Sequence, residues 1–394
     1  MKILIAHNRY VEAGGEDAVV RAEIELLRRA GHEVIFHGTD NDSIVGLAAQ
    51  FETAARVVYS KPARQRMAEA IAEHRPDLLH VHNFFPRLTP SIYDAAAEVD
   101  LPVVQTFHNY RTICPGGLLM RDGLPCEDCV GSSPYRAVRM RCYRGSTLGS
   151  LAVAHMVAIH LRRRTWSTRV HRIVALTEFA RGRFVAGGIH PSNIVVKPNF
   201  MADPRGNAPA AVDGVGAVYV GRLSREKGLP VLIEAWRDQT APLTVIGDGP
   251  LYDSIAQSAP ESVRMTGRLN HDAVLAAMSG ASFVVLPSLC YEGFPMAIVE
   301  AFAMGLPVVC SDIGGMAEIV EDGETGLHFR AGDAADLRAK VEALNADPER
   351  CRRMGAVARK RYEAHYGPEQ NLALLERIYA EACQLAADEA AGPG

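Results

Sequence analysis

Two carboxylates, Glu292 and Glu300, bracket the run Glu292-Gly-Phe-Pro-Met-Ala-Ile-Val-Glu300. Pro295 suits the first turn of a helix, where its missing N–H costs nothing. Gly293 lets a ligand approach the backbone closely. A helix start offers N–H groups to phosphate, and carboxylates accept hydrogen bonds from sugar hydroxyls. Phosphate and sugar held side by side are what a nucleotide-sugar site requires.

Other residues extend this chemistry. In Val220-Gly-Arg-Leu-Ser-Arg-Glu-Lys-Gly228, Arg222 offers a planar fork to phosphate oxygens and Lys227 adds a point charge. Such a cationic pair does for a diphosphate leaving group what a metal would otherwise do. His108 follows the apolar run Val103–Phe107 and opens an irregular loop. Gly14-Gly15-Glu16-Asp17 places backbone N–H groups at a helix start, without the G-x-G-x-x-G spacing of a dinucleotide fingerprint. Each of these has a purely structural counterpart: a solvated charged loop, a hydrogen-bonding histidine, a Gly-Gly turn with a cap.

Four cysteines, Cys114, Cys126, Cys129 and Cys142, fall in one loop-rich insert at about 109–145, spaced C-x11-C-x2-C-x12-C. The close C-x2-C pair suggests structural zinc. Unligated thiols and redox pairing are the alternatives, and none of these roles is catalytic.

The elements that must position these groups alternate. Strands are expected at Lys2–His7, Glu33–His37, Leu78–His82, Val103–Phe107 and Ile173–Leu176, with helices at Asp17–Ala30, Arg64–Glu73 and Ser91–Glu98. After a Pro/Gly/Ala/Asp-rich linker from Pro198 to Gly216, a second series begins. Its strands are Ala217–Val220, Leu243–Ile246, Val263–Thr266, Phe283–Leu286, Pro307–Cys310 and Leu327–Phe329. Its helices are Pro230–Arg237, His271–Ser279, Pro295–Met304 and Asp333–Asn345. The β-α-β alternation predicts α/β domains with parallel sheets covered on both faces, and two in tandem suggest a ligand cleft between them. The expected domains are 1–199, 200–367, and a final helix from 368 packing back on the first.

At 394 residues, 48% hydrophobic and 22% charged, the composition is that of a globular protein of two or three domains. Residues 1–199 carry a net excess of six positive charges and the remainder ten negative, so the front half could face an anionic partner. No signal-peptide pattern follows Met1. The apolar stretch Leu148–Leu161 is too short to span a bilayer, and Arg162-Arg163-Arg164 follows it. It reads as a core helix with a basic end, or as an interfacial membrane helix. The cytoplasm is the expected location.

Taken together, the ordered set resembles the retaining glycosyltransferases of the GT-B fold, family 4, over nearly the whole chain. The residues that carry the resemblance are Gly14-Gly15, Thr106-Phe-His108, Thr177-Glu178, Lys197-Pro-Asn199, Gly221-Arg222 with Lys227, Glu292-x7-Glu300, Gly314-Gly315 with Glu318, and Gly323-Glu-Thr-Gly326. The resemblance implies two Rossmann-like domains facing each other across a cleft. It gives the donor diphosphate to Gly221, Arg222 and Lys227, donor-sugar hydroxyls to Glu292, and the ribose to Glu300. Backbone at Gly293, Phe294, Met296, Ala297 and Ile298 would contact sugar and phosphate. His108 would lie near the reacting carbon, and Gly14 and Gly15 beside phosphate and acceptor. No metal or cofactor is implied for transfer. The implied partners are a UDP- or GDP-sugar and a saccharide or lipid-linked acceptor, with no nucleic acid; peripheral contact with an anionic membrane is the expectation only if Leu148–Leu161 and Arg162–Arg164 act as an interfacial helix. A UDP-sugar epimerase and a non-catalytic nucleotide-sugar binder share the architecture. A glycosidase pair is rejected, because Glu292 belongs to a loop and Glu300 to a helix and they need not flank one bond.

Overall fold

The computed structural model describes residues 1–9, 14–41, 46–206 and 214–391. The expected linker thus lies partly outside the described residues, at 207–213. The chain divides into two compact units: residues 1–119, 127–199 and 371–394 form one, and 120–126 with 200–370 form the other.

The first unit is built on a six-stranded, wholly parallel sheet. From edge to edge its strands are Glu33–Thr39, Lys2–Asn8, Leu78–Asn83, Val103–Phe107, Arg172–Ala175 and Ile194–Val196. Parallel strands covered on both faces read as continuous apolar runs, and Ile3, Leu4, Ile5 and Ala6 are accordingly fully buried. Strand order reverses between Lys2–Asn8 and Leu78–Asn83. In open α/β sheets such a switch point is where ligands bind, outside the carboxyl ends of the strands.

The helix expected at Asp17–Ala30 runs Gly15–Arg29, because Asp17 caps it from inside the first turn by accepting from the Gly14 N–H at 3.1 Å. The helix Thr147–Arg162 turns Val153, Ala154, Met156, Val157 and His160 inward and leaves Leu148 and Leu151 exposed. It is a core helix with a solvated basic end. Among the described residues no helix is long and apolar enough to cross a membrane. The last helix, Pro368–Ala391, buries Asn371, Leu375, Ile378, Tyr379, Ala382 and Ala386, and from Asn371 onward it belongs to the first unit.

The second unit carries another six-stranded parallel sheet, ordered Val263–Gly267, Leu243–Ile246, Ala217–Val220, Phe283–Leu286, Val308–Ser311 and Gly326–Phe329. Numbered along the chain this is 3-2-1-4-5-6, the dinucleotide-fold order, with the switch point between Ala217–Val220 and Phe283–Leu286. One core is packed by the helices His271–Ser279 and Met296–Met304, the other by Leu229–Trp236 and Ala334–Ala346, and Pro348–His365 contributes to both, Ala358 and Tyr362 to the first and Cys351 and Met354 to the second.

The 18-residue helix Pro348–His365 has no counterpart in the sequence-based expectation. Its charge density conceals a narrow apolar stripe at Cys351, Met354, Ala358 and Tyr362. Gly355 belongs to the same face, where a Cβ would stand 2.1 Å from the Gly305 carbonyl.

Candidate functional site

In the second unit, the chemistry collects at the switch point. Arg222 follows the strand Ala217–Val220 in a loop pinned by backbone bonds, Gly221 N to Ile246 O at 3.0 Å and Leu223 N to Asp248 O at 2.9 Å. A Cβ on Gly247 would lie 1.9 Å from the Gly221 carbonyl, so only glycine lets these two turns approach. The Arg222 side chain is exposed. The next turn, Arg225–Lys227, ends at Gly228, whose φ of +72° places a hypothetical Cβ 1.8 Å from the Pro287 carbonyl. The Leu289 N–H donates to Glu226 O at 2.8 Å, so the loops after the two switch-point strands are joined directly.

That junction sets Lys227 against Glu292. Lys227 Nζ donates to both carboxylate oxygens, at 2.7 and 2.8 Å, and Ser288 Oγ donates to Oε1 at 2.6 Å. Burial is the largest single influence and pulls the Lys227 pKa down, but Glu292 first, with Cys290 and Glu226, makes the net shift upward. The ammonium is therefore held charged.

Glu292 lies on the loop, whereas Glu300 lies in the helix Met296–Met304. Burial pushes the Glu300 pKa up, opposed by His271, whose Nδ1 is 3.9 Å away. Gly293, Phe294, Met296 and Ala297 are half-buried around the helix start, and the first-turn N–H groups have no acceptor within their own helix. Ile298 differs. Its side chain is fully buried and its N–H already donates to Pro295 O at 3.0 Å.

In the first unit, His108 emerges at the end of Val103–Phe107, half-buried, with Nε2 3.0 Å from His82 Nδ1. Burial first, and His82 second, push its pKa well below the usual imidazole range. Among the described residues, a Cβ on Gly14 or Gly15 would meet nothing within 4 Å. Packing therefore does not require glycine at either position, and the helix start is open to close approach.

A buried polar cluster behind His108 was not anticipated from the sequence. Glu23 Oε1 lies 3.1 Å from His82 Nε2 and 3.3 Å from His80 Nδ1, and Glu23 Oε2 accepts from Lys197 Nζ at 3.1 Å. Lys197 also donates to Asn371 Oδ1 at 3.1 Å, and His80 bonds Tyr379 Oη at 2.8 Å and Thr106 Oγ1 at 2.9 Å. One signal was available: His80 and His82 alternate along an otherwise apolar, doubly covered strand, so both point to one buried face.

No three of the four cysteines of the insert bring their Sγ atoms within 4.8 Å of one another, although Cys114 and Cys142 both border Gly116. Cys114 is buried and Cys126, Cys129 and Cys142 are half-buried. Among the described residues, the only three or more candidate metal-ligating side chains with donors within 4.8 Å of one another are Glu23, His80 and His82. The donor set expected from the spacing thus does not fit a tetrahedral zinc as arranged. Other contacts order this segment: the Arg111 guanidinium packs 4.7 Å from the Phe85 ring centroid and 5.3 Å from that of Tyr143, and donates to Pro115 O at 2.6 Å.

Two family models match the chain, Glycosyltransferase Family 4 over residues 13–202 and Glycosyl transferases group 1 over residues 209–361. Glycogen synthase of Mycobacterium tuberculosis is 34% identical over 175 residues, 42% of each chain. The match therefore spans less than half the length of that relative. Phosphatidyl-myo-inositol mannosyltransferase of Mycobacterium leprae is 25% identical over 338 residues, 83% of this chain and 80% of its own. Among solved structures, Anabaena HepE in complex with UDP aligns with a TM-score of 0.69 at 17% identity, over 96% of this chain and 100% of that one. The shared fold is GT-B, two Rossmann-like α/β domains in tandem.

Proposed function

We propose, because this chain belongs to glycosyltransferase family 4, that it moves a hexose from a UDP- or GDP-sugar to a saccharide or lipid-linked acceptor with retention of configuration. The observation that carries this reading is the Lys227–Glu292–Ser288 contact at the switch point, beside the start of the helix Met296–Met304. Nucleotide-sugars join a diphosphate to a polyol, and this junction offers a cation, a hydroxyl-accepting carboxylate and unpaired helix N–H groups within one loop system. HepE is solved with UDP-glucose as well as UDP, which supports a nucleotide-sugar donor for the shared fold.

In this reading Arg222, Lys227 and the helix start stabilise charge on the phosphate oxygens as the bond from the anomeric carbon to the diphosphate breaks. The acceptor oxygen bonds that carbon on the face the diphosphate leaves, and its proton passes to a departing phosphate oxygen. Glu292 fixes the sugar hydroxyls, Glu300 the ribose, and His108 contacts the transferred sugar. Charge stabilisation falls to side chains and backbone, and we assign no bound metal to the step.

We place the reaction on the cytoplasmic side, in polysaccharide or glycolipid assembly. Exposed Leu148 and Leu151 with exposed Arg144, Arg162, Arg163 and Arg164 support contact with an anionic surface. Flotation with phosphatidylglycerol vesicles should retain the protein, and phosphatidylcholine vesicles should not; equal recovery from both removes the membrane claim.

The deciding experiment screens UDP-glucose, UDP-galactose, UDP-N-acetylglucosamine and GDP-mannose for thermal stabilisation. The hits are then followed by NMR for anomeric configuration of the product. An inverted product overturns retention, an epimerised donor indicates isomerisation instead, and binding without turnover indicates a non-catalytic binder.

A further inference from the structure

The cluster beneath His108 is wired in a way that fixes where its protons lie. Glu23 is buried and held ionised. Burial is the largest single influence and pushes its pKa up, but the Lys197 ammonium, first among the opposing groups, and the contact of His82 bring it well below the usual carboxylate range. An ionised carboxylate only accepts hydrogen bonds. Among the described residues neither Glu23 Oε1 nor His82 Nε2 completes a well-directed hydrogen bond, yet the two atoms lie 3.1 Å apart as an ion-pair contact, with His80 Nδ1 3.3 Å from the same oxygen but bonded to Tyr379 Oη. Leaving a buried polar group unpaired costs about 1–3 kcal/mol, so the proton of His82 belongs on Nε2, facing Glu23. His82 Nδ1 is then an acceptor, and the group 3.0 Å from it, His108 Nε2, must be the donor. The rings of His82 and His108 stack with centroids 5.3 Å apart and 21° between planes, which holds this geometry.

We propose that Glu23, acting through His82, is a positioning residue that locks His108 in its Nε2–H tautomer, so that His108 presents Nδ1 as a hydrogen-bond acceptor to a hydroxyl of the sugar. This rests on the reading of His108 as a sugar-contacting residue. The same cluster is not a metal seat. Both nitrogens of His80 are engaged by Thr106 and Tyr379, and the Lys197 ammonium already occupies the second oxygen of Glu23. Lys197 and Asn371 are therefore the supports of the relay: Lys197 keeps Glu23 charged, and Asn371, accepting from Lys197, ties the final helix to the cluster. A neutral, acceptor-facing imidazole selects a hydroxyl over a phosphate oxygen, since two acceptors cannot share a proton that neither carries.

The test is nitrogen NMR of the full chain labelled with 15N-histidine, with His108 assigned by difference from His108→Gln. The wild type should show His108 protonated at Nε2 and unprotonated at Nδ1 near pH 7.5; the reverse tautomer overturns the proposal without any further variant. Glu23→Met/Lys197→Met removes charge and countercharge together, and His82→Phe cuts the relay while leaving the Glu23–Lys197 pair intact. Both should give mixed tautomers at His108. An unchanged Nε2–H form in a folded variant also overturns the proposal. Turnover of the donor that stabilises the wild type should fall about 10- to 100-fold in these variants, the usual effect of losing a partner that orients a working histidine, with KM changing less than kcat. If the tautomers shift as expected and His108→Gln keeps full turnover, the relay stands and the role given to His108 is what fails. Binding of stoichiometric Zn²⁺ by the wild type, lost in His82→Phe, would replace the relay with a metal site.

Discussion

Lys227 Nζ sits 2.7 and 2.8 Å from the two carboxylate oxygens of Glu292, 65 positions later in the chain. This pairing joins the two loops at the switch point of the second sheet, and Glu292 holds the Lys227 ammonium charged and aimed. Replacing either alone leaves a poorly solvated charge without its partner. Lys227→Met and Glu292→Gln should each lower kcat/KM for the donor on the order of 100-fold. The double variant should fall short of the product of the two losses, with a coupling of about 1–3 kcal/mol. Independent, multiplicative effects in steady-state kinetics would show that the two side chains do not act as one unit.

Glu300 should separate binding from chemistry. Glu300→Gln should weaken UDP or GDP binding about tenfold or more, the scale of a hydrogen bond to a charged acceptor, while kcat stays close to wild type. Burial raises the Glu300 pKa, so the carboxylate protonates at a higher pH than an exposed one would. Nucleotide affinity should therefore fall as pH drops from 7 toward 5, and the fall should disappear in Glu300→Gln. Isothermal titration at several pH values checks both, and a pH-independent wild type rules out an ionised Glu300 on the ribose.

Two glycines should behave in opposite ways. At Gly228, φ of +72° and a Cβ 1.8 Å from the Pro287 carbonyl make alanine costly. Gly228→Ala should lose more than about 1 kcal/mol by urea denaturation. A Cβ on Gly14 meets nothing within 4 Å among the described residues. Gly14→Ala should therefore stay within about 0.5 kcal/mol of wild type while lowering turnover, if the proposed site puts a ligand in that space. Full activity in Gly14→Ala would return that loop to a plain helix start.

The buried histidines make the first unit acid-sensitive. Burial, partly opposed by Asp17, lowers the His7 pKa from 6.5 to about 4, and burial lowers His80 and His108 in the same direction. A lowered imidazole pKa means the unfolded chain binds more protons, so stability falls as pH drops from about 6.5 toward 4. The slope is up to about 1.4 kcal/mol per pH unit for each proton. Glu23 works in the same direction at lower pH: its lowered pKa gives stability that is present above the ordinary carboxylate pKa and is lost as pH falls below it. Urea melts between pH 7.5 and 4.5 should show this loss, reduced by one proton in His7→Gln.

The cysteine insert should depend on Arg111 rather than on metal. Arg111→Met should destabilise by about 1–2 kcal/mol, the scale of desolvated cation–π contact, and EDTA should leave the melting temperature of the reduced protein unchanged. Stoichiometric zinc in that protein, with a melting temperature lowered by chelation, would mean that the four cysteines close on a metal when one is supplied.

The sequence by itself determined the sheets and the loop-then-helix placement of Glu292 and Glu300. Val103–Phe107, Ala217–Val220, Leu243–Ile246, Phe283–Leu286 and His271–Ser279 fall where the apolar runs and turn residues put them, because periodicity and glycine punctuation are local properties. Glu292 on a loop and Glu300 in a helix were legible for the same reason, with Pro295 marking the boundary between them. The tertiary structure alone decided which charges meet. Lys227 reaches Glu292 only because Gly228 and Leu289 bring two loops together. Glu23, His82, Lys197 and Asn371 form one cluster from the first helix, the third strand, the end of the sixth strand and the last helix. Buried polar contacts of that kind join residues up to 299 positions apart, and no local pattern encodes them. The same distance explains the cysteines: spacing suggested a zinc set, but whether four thiols converge depends on how Arg111 and the aromatic rings fold the loop between them.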